Sequence, residues 1–281
     1  MRRAIVVPVL AVVLLLGLLV TPGGAITGGQ PDGNGHPYTA LLLAPGLTFC
    51  TGSLISDDTI LTAGHCTSFW TELAATEGLT SIQVSFDPQA SVDEDWMPDG
   101  GTWYPASTWQ THPDYVDADW PLTYDYGLLH LDAPIAGIEP ADLPSPNALS
   151  PIIDSKGQTK QRFADVGYGV QGQIRGGGRP QSAVTWTRKI AIQRYAPGNG
   201  GNSALLHRTW FIVNNQPSSQ HGGACGGDSG SPVLFADTDT VVAVHTGGYR
   251  LGVEGEICGR ITSLNHRVDL PDVLAWITAN D

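Results

Sequence analysis

The chain has 281 residues, with 14 Lys and Arg against 27 Asp and Glu, and a net charge of −13. That acidic excess argues against nucleic acid or an anionic membrane surface as a partner. Its 35 glycines and 20 prolines punctuate short β-branched runs, a pattern of an all-β protein.

Met1-Arg2-Arg3 is a charged start, Ala4 to Val20 an apolar core, and Thr21-Pro22-Gly23-Gly24-Ala25 a run of small residues. Together they predict a secretory signal peptide over 1–25. The apolar core is long for a signal, so an uncleaved membrane anchor is the alternative. Cleavage after Ala25 would leave Ile26-Thr27-Gly28-Gly29 at the head of one domain, 26–281. Strands are expected at Tyr38 to Leu43, at Cys50 to Ile55 and at Thr59-Ile60-Leu61, the last ending in a tight turn, Thr62-Ala63-Gly64-His65-Cys66. A Cys50–Cys66 bridge would close a short loop, worth about 3 kcal/mol in the chain-entropy model. It would also pin the backbone beside His65, which sets that residue apart from the other histidines. Ser81 to Phe86 reads as a further strand, and the acidic segment Asp87 to Asp99 as a solvated loop without EF-hand spacing. Tyr124-Asp125-Tyr126-Gly127-Leu128-Leu129-His130-Leu131 starts an alternating strand with an acid at its entrance. A buried carboxylate is costly unless paired, which singles out Asp125. Asp117, Asp119 and Asp132 compete with it and read as solvated. Pro140 to Gln161 is the expected connection between two lobes, mostly loop.

In the second half, strands are expected at Val184 to Ile192 and Val241 to Val244. Between them lies Gly227-Asp228-Ser229-Gly230-Ser231-Pro232, preceded by Cys225. A serine hydroxyl is a weak nucleophile that needs a base within hydrogen-bond reach. It also needs donors aimed at the oxygen that becomes negative in acyl transfer. Glycines on both sides of Ser229 let the amides of Gly227 and Ser229 converge. The histidines form no H-E-x-x-H, and the cysteines fit neither a zinc ribbon nor a C-x-x-C pair, so no metal or organic cofactor is expected. A helix is expected at Leu270 to Ala279, capped by Asp269, with Pro271 in its first turn and Leu270, Val273, Leu274 and Ile277 as its apolar stripe.

The His65 turn matches T-A-[AG]-H-C, the Asp125 strand matches D-x-[AG]-L-L-x-L, and the serine loop matches G-D-S-G-[GS]-P. These motifs, in the order His, Asp, Ser, resemble the trypsin/chymotrypsin family of serine endopeptidases, with matches spread from Ile26 to Ile277. Val166-Gly167-Tyr168-Gly169 resembles the segment that opens the family's second barrel, with Tyr where Trp is usual. The resemblance implies two six-stranded antiparallel β-barrels, about 26–140 and 160–268, with the active site between them and a helix at about 270–279. It implies Ser229 as nucleophile, His65 as base, Asp125 as its orienting acid, and the amides of Gly227 and Ser229 as the oxyanion hole. An Ile26 ammonium would pair with Asp228 and order that hole. Cys225 would pair with Cys258, although the sequence alone permits three pairings. A secreted, extracellular monomer without stable membrane association follows, acting on polypeptides and meeting proteinaceous inhibitors. Some relatives hold calcium in a first-barrel loop, a second reading of Asp87 to Asp99.

Specificity is expected from Gly223, His245, Gly247 and Gly259. Gly223 stands where trypsin-like members carry the acid that binds Arg or Lys, so trypsin specificity is disfavoured. Gly247 and Gly259 read as pocket walls that leave room for an apolar side chain. Val244-His245-Thr246-Gly247-Gly248 resembles the His-containing segment of bacterial glutamyl endopeptidases, which makes an acidic side chain the second reading and a structural role for His245 a third. Glu254 and Glu256 could instead attract a basic one. A secreted esterase with the same triad and a catalytically inactive binding protein are the rival classes.

Overall fold

The computed structural model describes residues 26, 29–117, 124–155, 160–173, 181–195, 210–214, 223–249 and 262–281. The first seven-stranded sheet comprises β2 (Thr39–Ala44), β3 (Thr48–Leu54), β4 (Thr59–Thr62), β5 (Ile82–Ser85), β6 (Tyr104–Ala106), β7 (Thr108–Thr111) and β8 (Gly127–His130), following β1 (Gln30–Pro31) in the chain. The second comprises β1 with β9 (Arg162–Gly167), β12 (Lys189–Tyr195), β13 (Trp210–Asn214), β14 (Pro232–Phe235), β15 (Val241–Tyr249) and β16 (Thr262–Arg267). A two-stranded ribbon, β10 (Gln171–Gln173) with β11 (Gln181–Ala183), stands apart.

The first sheet runs β6-β5-β2-β3-β4-β8-β7. Only Ser107 separates its two ends, so β6 and β7 act as one bent strand that joins both edges. The second runs β1-β12-β13-β16-β15-β14-β9 and closes through a direct β9–β12 ladder, Lys189 opposite Gly167 to Arg194 opposite Arg162. Six strands thus ring each lobe, β1 being an added edge on the second. Closure removes unpaired strand edges from both lobes.

Alternation sets the core. Ala40, Leu42 and Ala44 of β2 turn into the main core with Ile60, Val84 and Leu128, while Leu41 and Leu43 face a second cluster with Phe49 and Tyr168. That two-sided burial explains why β2 reads as a continuous apolar run.

Three expectations about helices change. The His65 turn opens a helix, α1 (Gly64–Thr76), burying Cys66, Trp70 and Leu73 at i, i+4 and i+7. The Pro140–Gln161 connection contains a short helix, α2 (Ser150–Asp154). The last helix, α3 (Pro271–Asn280), buries Val273 and Ile277 as its stripe predicts, with Leu270 and Leu274 packed partly against the same core. Asp269 does not cap it. Its carboxylate is buried against Arg267 and the Leu149 amide instead, and Leu270 holds the N-cap position.

A fully buried guanidinium ties both lobes to the N-terminal segment. Arg188 donates to Asp32 Oδ2 at 3.0 Å, to the carbonyls of Gly33, Thr39 and Phe86, and to Tyr168 Oη at 3.3 Å. Asp32 also accepts from the His36 ring at 2.6 Å. Although burial opposes its charge, these partners hold the Asp32 carboxyl below its usual range. Removing one member of such a buried pair strands the other charge. Arg188→Met is therefore expected to lower unfolding free energy by about 3–5 kcal/mol in urea denaturation, and Asp32→Leu/Arg188→Met to recover most of that loss.

Candidate active site

Asp125 and His65 meet at the N-terminus of α1. The first N–H groups of a helix have no partner within it, and Ala63 at the N-cap offers no side chain to accept them. Asp125, at the entrance of β8, fills that role from across the sheet. Its Oδ1 accepts the His65 amide at 2.6 Å and its Oδ2 the His65 Nδ1–H at 2.8 Å. The β4–β8 register, Thr62 opposite Gly127, brings the two together. Asp125 is buried and the His65 side chain one-third exposed. Burial opposes charge on both, but their mutual attraction prevails: Asp125 is held below the usual carboxylate range and His65 above the usual imidazole range. In its neutral form the ring therefore donates through Nδ1 and keeps Nε2 as its acceptor.

Ser229 lies on a loop stitched between the lobes. Its carbonyl accepts the Thr51 amide of β3 at 2.8 Å, and Thr51 Oγ1 donates to the Gly227 carbonyl at 2.9 Å. On the other side Gly230 donates to the His245 carbonyl of β15, and His245 donates to that of Ser231. The expected Cys50–Cys66 disulfide is present, and its Cys66 Sγ lies 3.9 Å from the Ser229 carbonyl, so residue 66 anchors His65 beside the loop. Ser229 Oγ itself makes no hydrogen bond among the described residues. Gly227 has φ +89°, and a Cβ there would lie 2.1 Å from the Phe49 ring. Only glycine lets the backbone turn under that ring.

Behind the loop, Asp228 is fully buried and accepts the amides of Gly169 at 2.7 Å and Cys225 at 2.9 Å. A Cβ on Gly169 would lie 2.3 Å from its carboxylate, so the segment after β9 must be bare to hold it. A second acid, Asp165 of β9, is also buried and accepts from Ser231 Oγ at 2.8 Å and Gln193 Nε2 at 3.4 Å. Burial raises both carboxyls above the usual range, Asp228 strongly, with the charge of Asp165 adding to the effect. Ile26 is buried as well.

Of the expected pocket residues, Gly223 is buried, and a Cβ on Gly247 would meet no atom of the described residues within 4 Å. His245 is buried with Nδ1 3.0 Å from Asn265 Oδ1, and burial pushes its pKa down against the opposing influence of Asp165. Thr246, at the register shift that follows, brings its Oγ1 to 2.6 Å from His266 Nδ1. His266 faces Asp125 and Tyr126, and burial pushes its pKa down to about 4. Thr51, Asp165 and His266 are absent from the sequence reading. A lone acid inside Phe163-Ala164-Asp165-Val166 was a usable signal for one of them; no local pattern marks the others. Cys225 is disulfide-bonded. Cys258, Gly259, Glu254, Glu256, Asp119 and the segment 1–25 lie outside the described residues.

A family model described as trypsin matches residues 25–268. Hypodermin-A of Hypoderma lineatum is 27% identical over 279 residues, spanning 97% of this chain and 93% of its own. Serine protease 1 of Drosophila melanogaster is 24% identical over 236 residues, spanning 82% and 78%. Among solved structures, HL collagenase superposes with a TM-score of 0.61 at 18% identity, covering 90% of this chain and 96% of that one. With the model matched across most of its length, two closed antiparallel lobes and a terminal helix, the chain belongs to the trypsin family.

Proposed function

We propose that the chain is a secreted serine endopeptidase that cleaves polypeptides through an acyl-enzyme. The observation that carries this reading is the Asp125–His65 joint, 2.8 Å from Oδ2 to Nδ1, beside a serine loop anchored to both lobes. Ser229 Oγ attacks the scissile carbonyl as His65 Nε2 takes its proton. Asp125 stabilises the imidazolium so formed, and His65 then returns the proton to the leaving amine. The amides of Gly227 and Ser229 receive the oxyanion, each such donor being worth about 3 kcal/mol in related chemistry. Water repeats the sequence to release the acyl product.

The reading has the segment 1–25 act as a signal and makes Ile26 the mature N-terminus. Until that cut, residue 26 carries a peptide N–H and cannot neutralise Asp228. Afterwards its ammonium can pair with that carboxylate and order the oxyanion hole. An apolar side chain best suits the specificity pocket. Gly223 brings no charge, and burial disfavours a protonated His245 that would attract a substrate carboxylate.

A fluorophosphonate probe is expected to label the wild type and not Ser229→Ala, whose kcat on a peptide substrate should fall by about 10⁴-fold or more. Labelling without peptide cleavage would favour an esterase; no labelling, an inactive homologue. Asp125→Asn should lower the His65 pKa, read from its ring protons by NMR. The ion pair exists only while Asp125 is ionised and His65 protonated; a neutral ring keeps the hydrogen bond alone. The stability gap between wild type and Asp125→Asn should thus peak in weakly acidic solution, shrinking as pH rises through the His65 pKa or falls through that of Asp125.

A chain beginning at Ile26 is expected to be active and one beginning Met-Ile26 at least about tenfold less so. The free amine titrates at about 7.7–8.0, and pairing raises it. Its contribution is complete at lower pH and disappears as pH climbs through that raised value, which kcat/KM profiles of the Ile26 form would reveal as an alkaline limb.

A further inference from the structure

We infer that Trp96 and Trp186, standing on Phe49, form a subsite for a basic side chain on the leaving-group side of the cleft; the inference rests on the endopeptidase reading. The three rings meet edge to face, with centroids 5.0 Å apart for Phe49–Trp186 and 5.5 Å for the other two pairs. Both tryptophans hold left-handed backbone, at φ +61° and +53°, where large side chains are rarely found. Such conformations persist only where the surroundings impose them, and they concentrate at functional sites. Here the surroundings do impose them. The Trp96 carbonyl accepts the Gly46 amide at 3.0 Å, and Trp96 donates to Asp93 at 3.2 Å. The Trp186 carbonyl accepts the Ala90 amide at 2.9 Å, with Gln89 bound to the Thr185 carbonyl beside it. Both tryptophans nevertheless remain only partly buried, next to an exposed Met97.

The platform adjoins the reacting atoms through Phe49, whose ring packs over Gly227. Phe49 precedes Cys50, and the disulfide carries that edge to Cys66 and so to His65, the group that hands a proton to the leaving amine. On the endopeptidase reading the acyl side of a substrate belongs to the proposed pocket residues Gly223, His245 and Gly247, leaving the Phe49 flank to the leaving group. A peptide leaving group running out over Phe49 reaches Trp96 and Trp186 within about two residues at an extended rise of about 3.3 Å each.

Charge selects the occupant. From Ala4 to Ser155 the chain has no Lys or Arg. The segment bearing Trp96 exposes Asp93, Glu94, Asp95 and Asp99. Arg188, two residues beyond Trp186, is committed to Asp32 and the carbonyls around it. A Lys or Arg can lay its stem on the indoles, gain a cation–π contact and reach the acidic rim. Among the described residues no three candidate ligands gather, and Asp87 and Asp93 each hold backbone amides.

The test is acyl transfer. An apolar ester acylates the Ile26-initiated enzyme, and the dipeptide amides Ala-Arg-NH₂, Ala-Leu-NH₂ and Ala-Glu-NH₂ compete with water for the acyl group. The arginine amide should capture it about tenfold better than the glutamate amide, less so in high salt. Trp96→Ala, and separately Glu94→Gln/Asp95→Asn, which keeps the rings, should each cut that advantage at least about threefold. Equal capture of all three amides, a preference for leucine over arginine, or an advantage untouched by both variants overturns the proposal. Quenching of tryptophan fluorescence by Ala-Arg-NH₂, weakened in either variant, reads the subsite without acylation. Such quenching in an enzyme that forms no acyl product would overturn the endopeptidase reading and leave a basic-peptide site; its absence there would overturn both.

Discussion

The buried carboxylate of Asp125 is the constraint from which the site geometry follows. An ionised carboxyl away from water requires hydrogen-bond donors and a compensating charge. Here one residue supplies both, because the His65 amide and the His65 ring occupy the two oxygens. Satisfying Asp125 therefore does three things together. It caps α1, fixes the angle at which the chain leaves β4, and selects the imidazole tautomer. A helix N-terminus adds its own positive potential at the same point. Chemistry and local folding share one interaction, so a change at Asp125 moves the backbone as well as the charge.

Beyond the apolar clusters that the two lobes share, polar contacts of buried groups fix how they meet. Thr51 is the smaller joint, with its amide on Ser229, its hydroxyl on Gly227 and the Tyr168 amide on that same hydroxyl. Arg188 is the larger, gathering carbonyls of the first lobe, a carboxylate of the N-terminal segment and a phenol of the second lobe. Apolar surfaces would hold the lobes together but tolerate sliding. Donors with fixed directions define a register, which the serine loop needs because its two anchors belong to different lobes. Tyr168 belongs to both joints, and the next residue, Gly169, holds Asp228.

The motifs around His65, Asp125 and Ser229 were legible because each packs its chemistry into a few consecutive residues. The strands are legible as short apolar or β-branched runs between turn signals, and β2, β3, β4, β5 and β8 lie close to where those runs place them. The first helix was missed because the strand signal of Thr59-Ile60-Leu61 runs straight into it, and its apolar stripe, Cys66, Trp70 and Leu73, is sparse. Asp269 was misassigned because an acid before Pro271 has the form of a cap, whereas Arg267, two residues earlier, claims the carboxylate. Arg188 and Thr51 carry no local mark at all. Their roles depend on partners more than a hundred residues away, and only the closed lobes bring those together.

Asp165 and Asp228 pose a charge problem that bears on how the proposed enzyme would switch on. Two buried carboxyls in one lobe repel, and burial alone already disfavours ionising either. Asp165 has Ser231 Oγ and Gln193 as donors, while Asp228 has two backbone amides. His245, the nearby imidazole, is discouraged from protonation by its own burial. On that balance the proposed uncut chain would favour protonating Asp228, which then needs no cation. In the proposed activation an arriving ammonium would change the balance twice, ionising Asp228 and drawing its loop toward the new charge. Because Gly169 leaves no side chain over that carboxylate, the pull would pass directly into the backbone that carries Gly227 and Ser229. The buried acid pair would thus make the serine loop answer to the state of the N-terminus, with Asp165 sharpening the response by making the unpaired anion less tolerable.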